Sequence, residues 1–178
     1  MKNIVKIYLV TFLFFAAPIF AVEGVAVIDM RTAVLSTQAA ADAFKALDED
    51  PDYSSNLEEA QALQAERQSI AEKLQKELET LSQEEVAKMQ KDIQDKGKDL
   101  EFLAGKIQQA QEETAQKIFA DSGAAMQKII SELITAKQIK VLLAKNETML
   151  FSDPALDLTD DVTSMLDVAN AGADSQSE

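Results

Sequence analysis

The chain has few kinds of side chain that could do chemistry, and carboxylates are the most common of them. The 178 residues include no His and no Cys, which excludes an imidazole base, a thiol nucleophile and a thiolate or imidazole metal site. Acidic residues gather in two clusters, one at 48–52 and one at Asp157, Asp160 and Asp161. Neither cluster has the spacing or the glycine of a calcium-binding EF-hand loop. We interpret the first as a charged linker and the second as an acidic helix start, and we expect no metal and no cofactor.

Other residue types do not favour an enzyme either. Paired carboxylates can hydrolyse a glycosidic bond, but here they lie on polar stretches without an aromatic cleft for a sugar. The sequence has no glycine-rich phosphate loop, which leaves nucleotide hydrolysis without support. The serines have neither a histidine partner nor a lysine dyad motif. We therefore expect a non-catalytic protein.

The net charge limits the class of partner. Lys and Arg number 17, whereas Asp and Glu number 31, so the formal net charge is -14. An overall field of this sign does not attract nucleic acid or an anionic membrane surface. We expect no nucleic-acid partner.

The first 21 residues have the pattern of an export signal. Lys2 and Lys6 precede or border the apolar run 7–17, and residues 18–21 end in a small side chain. This pattern is typical of a cleaved signal peptide. A retained membrane anchor is the alternative, but the run is shorter than the about 20 residues that span a bilayer. We predict cleavage after Ala21 and export of the mature protein to the bacterial periplasm.

Segments on both sides of the middle of the chain predict a small β body. Residues 24–30 are apolar and β-branched, which favours a buried strand. Residues 139–144 and 148–151 predict two further strands that form a β-hairpin. Such strands leave open edges in a monomer, which favours an oligomer. The side chains that we expect in the oligomer interface are Val25, Val27, Ile139, Val141, Leu143, Met149 and Phe151.

Helices are expected to complete this body. Residues 31–47 repeat apolar side chains at helical spacing and predict one helix of about four turns. Thr159 precedes two acidic residues, a pattern typical of a helix N-cap, whereas 171–178 are small and polar and predict a disordered tail. We assign 22–53 and 111–170 to one mostly helical α+β body.

Residues 54–136 form a long helical region with a helix start inside it. Ser82 and Glu85 have the spacing of a capping box. Apolar positions at equal distances on either side of this point match each other at the spacings of three and four of a coiled coil. We predict an antiparallel coiled-coil hairpin over 54–110, with its tip near 81–82. Its expected seam is Leu57, Leu63, Ile70, Leu74, Leu78, Met89, Ile93, Leu100, Leu103 and Ile107.

The hairpin has an alternative on the sequence alone. No glycine or proline marks the turn at 81–82, so an uninterrupted helix in a parallel dimer is also compatible with the pattern. Arg67 is expected on the seam opposite Gly97, either as a local packing solution or as the site of a bend. Gly97 and Gly105 each lower helix propensity by about 1 kcal/mol, and we hypothesise that this stretch is flexible.

These elements, in this order, resemble the Skp/OmpH family of periplasmic chaperones. The sharpest parts of the resemblance are the start VAVIDM at 25–30 and the motif LDLTDDV at 156–162. The resemblance implies a homotrimer whose β-strands join into a small body, with the helical hairpins arranged around a central cavity. It also implies a holdase that keeps unfolded outer-membrane proteins from aggregating in that cavity without ATP.

The charge of the arms departs from that family. Its best-known members are strongly basic, whereas 54–110 carry 8 basic and 12 acidic residues here, and the tip at 77–85 has no basic residue. Direct binding of anionic lipid by the tips is therefore not expected. Most apolar residues of the arms are expected to pack against each other in the seam. We therefore expect an unfolded client to contact side chains next to the seam. The candidates are Val86, Met89, Phe102, Phe119 and Met126.

A second class of function fits the helical region. A structural coiled-coil protein of the cell envelope would bind one fixed, folded partner. Such a spacer needs only helix, whereas an assembled cage needs strands that close edges between subunits. The predicted strands therefore favour the chaperone.

Overall fold

The computed structural model describes residues 24–174, so the predicted signal peptide at 1–21 and the end of the predicted tail lie outside the described residues. Within this range every helix is too short or too polar to cross a membrane. The elements in chain order are strand β1 (Val25–Ile28), helices α1 (Met30–Leu35), α2 (Gln38–Asp48), α3 (Pro51–Glu77) and α4 (Gln83–Ala136), strand β2 (Val141–Ala144), a 3-10 turn (Pro154–Leu156) and helix α5 (Thr159–Asp174).

Helices α3 and α4 form the predicted antiparallel hairpin, and the uninterrupted helix is excluded. Three side-chain hydrogen bonds cross between them: Lys96 with Glu66, Lys106 Nζ with Asn56 Oδ1 at 3.0 Å, and Gln111 Nε2 with Tyr53 Oη at 2.7 Å. Positions on α4 rise as those on α3 fall, which defines antiparallel helices. On the predicted seam Leu103 is buried, Leu78 is 57% exposed, and the other eight side chains are half-buried.

The tip of the hairpin is closed by the predicted capping box. Ser82 Oγ accepts from the backbone N–H of Glu85 at 3.3 Å, and the Glu85 carboxylate accepts from the Ser82 N–H at 2.8 Å. The carboxylate also accepts from the Ser82 hydroxyl at 2.7 Å. These hydrogen bonds to Ser82 hold the pKa of Glu85 below its ordinary value of 4.5, because they favour the charged carboxylate.

Substituting Ser82→Ala is expected to raise the pKa of Glu85 towards 4.5, because the side-chain hydrogen bond from Ser82 is its largest stabilising contact. It also removes the N-cap of α4, which typically costs about 1 kcal/mol of local helix stability. NMR titration of the Glu85 carboxyl and amide exchange at 83–86 measure the two effects. Ser69→Ala, on the exposed middle of α3, is the control. An unchanged Glu85 titration in Ser82→Ala would contradict the capping geometry.

The sheet differs from the predicted three-stranded arrangement. It has two strands, and β2 pairs with β1 in parallel, with Val25 opposite Val141 and Val27 opposite Leu143. Gly24 starts the pairing: its carbonyl accepts from the N–H groups of Lys140 and Val141, and its φ of 85° favours glycine. The helices between β1 and β2 supply the long connection that parallel strands require.

Residues 148–151 do not form the second half of a β-hairpin, so that prediction is wrong. Asn146 closes a local turn instead, since its carbonyl accepts from Met149 N and its Oδ1 accepts from Thr148 N, both at 3.0 Å. Pairing with β1 places Leu142 of β2 against the core. A hairpin made only of 139–151 would lack that buried surface, which explains why the long-range pairing wins.

The predicted single helix at 31–47 is two helices. Thr37 lies at the break, 1% exposed, and its hydroxyl accepts from Ala40 N at 3.2 Å to cap α2. The Asp167 carboxylate of α5 supports the same helix start, because it accepts from Gln38 N at 2.8 Å. The alanine-rich spacing continues through the break, so periodicity alone does not reveal it.

The core lies where α1, α2, the second half of α4 and α5 meet the inner side of β1. Its fully buried large side chains are Val34, Val162 and Leu166. Helix α5 continues to Asp174, so the first part of the predicted disordered tail is helical instead. Thr159 is the first helical residue rather than the cap, and its backbone N–H donates to Asp157 Oδ1 at 3.0 Å.

Candidate functional site

Exposed large apolar side chains mark two places that bear on the predicted function, the hairpin and the segments around β2. On the hairpin they are Leu78 and Phe102, at 57% and 67% exposure. Around β2 they are Val141, Leu143, Leu150 and Phe151. An exposed apolar group that forms a patch indicates an interaction site, whereas an isolated one does not.

The five client-contact candidates divide between the hairpin and the body. Phe102 is exposed on α4, and the Lys106 ammonium lies 5.7 Å from the centre of its ring, within cation–π range. Val86 and Met89 are half-buried near the start of α4, and Met89 is also one of the predicted seam residues. Phe119 and Met126 pack against the core, so the structure separates them from the other three.

The middle of the hairpin carries an ion pair where the sequence suggested a charge on the seam. Arg67 is exposed and does not pack on Gly97, since no atom outside its own helix turns lies within 4 Å of where a Cβ of Gly97 would stand, contrary to that expectation. The neighbouring Glu66 instead binds Lys96 across the hairpin, and the hydrogen bond to Glu66 holds the pKa of Lys96 above its ordinary value. The charged contact between the arms at this level is therefore made by Lys96, the residue before Gly97.

Gly97 and Gly105 leave open space on α4, since no atom outside their own helix turns lies within 4 Å of where a Cβ would stand. The double substitution Gly97→Ala and Gly105→Ala is therefore expected to stabilise the hairpin, by about 1 kcal/mol for each residue. Amide exchange over 90–110 measures the change, and it should slow. Ala104→Gly, an exposed neighbour, is expected to act in the opposite direction. Unchanged or faster exchange in the double variant would refute a role of these glycines in arm flexibility.

The outer side of the strand pair is open. Leu142 points to the core, whereas its neighbours Val141 and Leu143 are 46% and 44% exposed, as strand alternation requires.

The backbone edges of the strand pair are also largely unpaired. On its far side β1 meets only an isolated bridge from Val27 to Asp157, and among the described residues no strand pairs with the far side of β2. Open edges of this kind are a template for another chain.

The predicted interface residues lie at different depths around this edge. Val141, Leu143 and Phe151 are exposed, Val25, Ile139 and Met149 are half-buried, and Val27 is buried. Leu150, which is not among the predicted interface residues, is 99% exposed. Its place beside Phe151, 84% exposed, makes the 150–151 pair the most exposed apolar group in the described chain.

A polar cluster ties the carboxyl ends of both strands to α5. Lys145 Nζ binds Asp157 Oδ2 at 2.6 Å, and Thr159 Oγ1 accepts from Asp29 N at 3.0 Å. Burial acts to raise the pKa of Asp157, but the hydrogen bonds from Lys145 and Thr159 together outweigh it and lower that pKa below 3.8. The pKa of Asp29 is also lowered, chiefly because its carboxylate accepts a hydrogen bond from the backbone N–H of Thr32.

The substitution Asp157→Asn is expected to destabilise the body at neutral pH by about 1 kcal/mol, since Lys145 is half-exposed and solvent screens the pair. A carboxyl group whose pKa is lower in the folded than in the unfolded protein stabilises the fold at pH values above its unfolded pKa. That stabilisation is lost as the pH falls through the folded pKa. The effect of the substitution should therefore shrink below pH 3.8. Urea unfolding across pH measures it, with the exposed Asp153→Asn as a comparison. If Asp157→Asn still lowered the free energy of unfolding at the lowest pH, the charge of Asp157 would not be the source of its stabilising effect.

The carboxylate clusters have structural roles within residues 24–174. Asp50 caps α3 by accepting from the N–H groups of Asp52 and Tyr53. Asp157 is paired with Lys145, and Asp161 lies 2.9 Å from Lys137. Over this described range no group of three or more acidic side chains has a metal-binding arrangement.

The chain was compared with known families, curated proteins and solved structures. No curated protein matches the chain. Four chains of solved structures match it. One is a crystal structure of a proposed outer membrane chaperone (OmpH-like) from Caulobacter crescentus, 23% identical, which covers 82% of this chain and 85% of its own with a TM-score of 0.46. The family model described as outer membrane protein (OmpH-like) matches residues 24–166. Because that match spans most of the sequence, the chain belongs to the OmpH-like family.

Proposed function

We propose that this protein is an ATP-independent holdase of the periplasm, which binds unfolded outer-membrane proteins between its helical hairpins and prevents their aggregation. The observation that carries the proposal is a long helical hairpin on a body whose strand pair has an open, apolar edge. Membership of the OmpH-like family and the name of the Caulobacter protein support a chaperone. The charge pattern of 1–21 supports export through a cleaved signal peptide.

The body is proposed to assemble as a homotrimer. The outer edge of β2 and the exposed pair Leu150 and Phe151 would be covered by neighbouring copies. In this arrangement 22–53 and 111–170 form the assembly body, and 54–110 form the arms. Three arms on one body enclose a space, which limits encounters between client chains. A structural spacer with one folded partner has no use for such an edge, so the alternative function is less well supported.

Client binding is proposed to be weak at each contact. The exposed Phe102 and the half-buried Val86 and Met89 offer small, separated apolar contacts on the arm, and methionine adapts to varied partners. Binding of the unfolded state lowers the free concentration of the aggregating species by mass action. The acidic arms would keep the loaded complex soluble, and direct contact with anionic lipid is not part of the proposal.

Two measurements on the purified protein test this function. One is the mass in solution, for which we expect three copies. The other is light scattering when an unfolded outer-membrane barrel protein is diluted from urea with and without the protein. We expect scattering to fall in proportion to added trimer, without ATP. Equal scattering at an excess of the assembled protein would refute the holdase.

A further inference from the structure

A groove lies at the root of the arm, where four helices converge. Residues of α1, α2, the first turn of α3 and the middle of α4 line a cavity of about 730 Å³. Cavities of this size with an apolar lining and a few polar groups are typical ligand sites. None of the five client-contact candidates except Phe119 reaches it.

The floor of this root groove is apolar. Leu35, Phe44 and Phe119 line it while they pack against the core from their other side, and Leu47 extends the floor along α2. Tyr53, only 5% exposed, closes the end towards the arm, where its hydroxyl oxygen accepts from Gln111. The floor therefore belongs to the rigid junction of arm and body.

The rim of the groove is polar, and its charged side chains are two carboxylates and one guanidinium, so its net charge is negative. Asp48 of α2 and Glu112 of α4 both line it, and Arg31 is the one cation in the lining. The segment 48–52 carries four carboxylates and no cation. Within residues 24–174 the Arg31 guanidinium makes no ion pair. The rim thus complements a partner that carries positive charge.

The shaft of the arm lacks this combination. Over 54–110 only Leu78 and Phe102 expose large apolar side chains, and both stand alone. In the root groove several apolar side chains lie together, beside the amides of Gln108 and Gln116 that can hydrogen-bond a main chain.

We propose that the root groove binds an extended peptide segment whose apolar or aromatic residues are flanked by lysine or arginine. The inference rests on the proposed holdase function, because it places one anchor of the client at the foot of each arm. Apolar side chains of the segment fill the floor above Phe44 and Phe119, and its flanking cations lie against Asp48 and Glu112.

Single cysteines can locate a bound client, because the chain has none of its own. A benzophenone is attached at Gln116→Cys in the groove or at Gln94→Cys on the exposed shaft, and an unfolded barrel protein is held by each labelled protein during illumination. We expect several-fold more cross-linking from the groove. If aggregation is suppressed but the client cross-links only to the shaft, the groove is not the binding site, and the proposed holdase function still stands. Unsuppressed aggregation in both would overturn the holdase and, with it, the groove.

Charge selection is tested with two peptides of one alternating apolar core, flanked by lysines or by glutamates. By fluorescence anisotropy we expect the lysine-flanked peptide to bind about tenfold more tightly. Asp48→Lys with Glu112→Lys should abolish that preference, whereas the same change in charge on the shaft, Glu59→Lys with Glu101→Lys, should preserve it. All four positions are exposed, so the fold should tolerate both pairs. Equal affinity for the two peptides would refute the proposed partner. An equal loss of the preference for lysine in both double variants would refute it as well.

Discussion

A protein that carries Leu150→Asp and Phe151→Asp is expected to be a folded monomer. The two side chains are 99% and 84% exposed, so they contribute little to the fold of one chain. Under the proposed assembly they are covered by a neighbouring copy, and two carboxylates buried there without partners would each cost several kcal/mol. A trimer cannot form against such a penalty. Mass measurement by light scattering, with circular dichroism to report the helix content, checks both parts of the expectation.

The same variant separates assembly from holding. A monomer has arms but no space enclosed by several of them, so we expect its suppression of client aggregation to fall at least tenfold at equal chain concentration. Leu78→Asp with Phe102→Asp introduces the same charge at exposed positions of the arm. That control should remain a trimer. A trimer of unchanged mass from the Leu150 and Phe151 variant would show that the interface lies elsewhere.

The hairpin could be predicted from the sequence because two independent signals coincide at one place. The capping box at Ser82 is a local signal that its own hydrogen bonds enforce, and the structure confirms it. The apolar spacing on either side is a second signal, which requires that the arms meet. Arg67 shows the limit of this method: its number places it on the seam, but a long charged side chain has an exposed alternative.

The sheet could not be predicted because strand pairing depends on distant residues. Residues 148–151 have strand-forming side chains, but β2 finds its partner 116 positions earlier in sequence, at Val25 for Val141. Local composition carries no information about that choice. The break at Thr37 was missed for a similar reason, since Asp167 of α5 supports it from across the body.

The candidate site follows the same division. Exposure of Phe102 could be inferred from its place beside the seam, and the open strand edge from the scarcity of strands. The root groove could not be inferred, because its lining comes from four helices whose packing is not visible in the sequence. The contacts of clients and of neighbouring copies remain predictions.

The largest expected loss of stability follows from Leu166→Ala. Leu166 is 0% exposed and lies in α5 against the core formed with Val34 and Ile129. Truncation removes its transfer free energy and leaves a cavity, which together cost about 3 kcal/mol. That is a large part of the about 5–15 kcal/mol that stabilises a typical domain. Urea unfolding of the purified protein at fixed concentration measures the difference in free energy of unfolding.

Val168→Ala is the matched control, because Val168 lies two residues later on α5 and is 75% exposed. We expect it to change the free energy of unfolding by less than about 0.5 kcal/mol. The contrast also bears on assembly: α5 closes the core against which β1 lies, so loss of Leu166 loosens the support of the strand edge. The oligomer should therefore dissociate at lower urea in Leu166→Ala than in Val168→Ala. Equal unfolding midpoints for the two variants would mean that α5 is not part of the cooperative core.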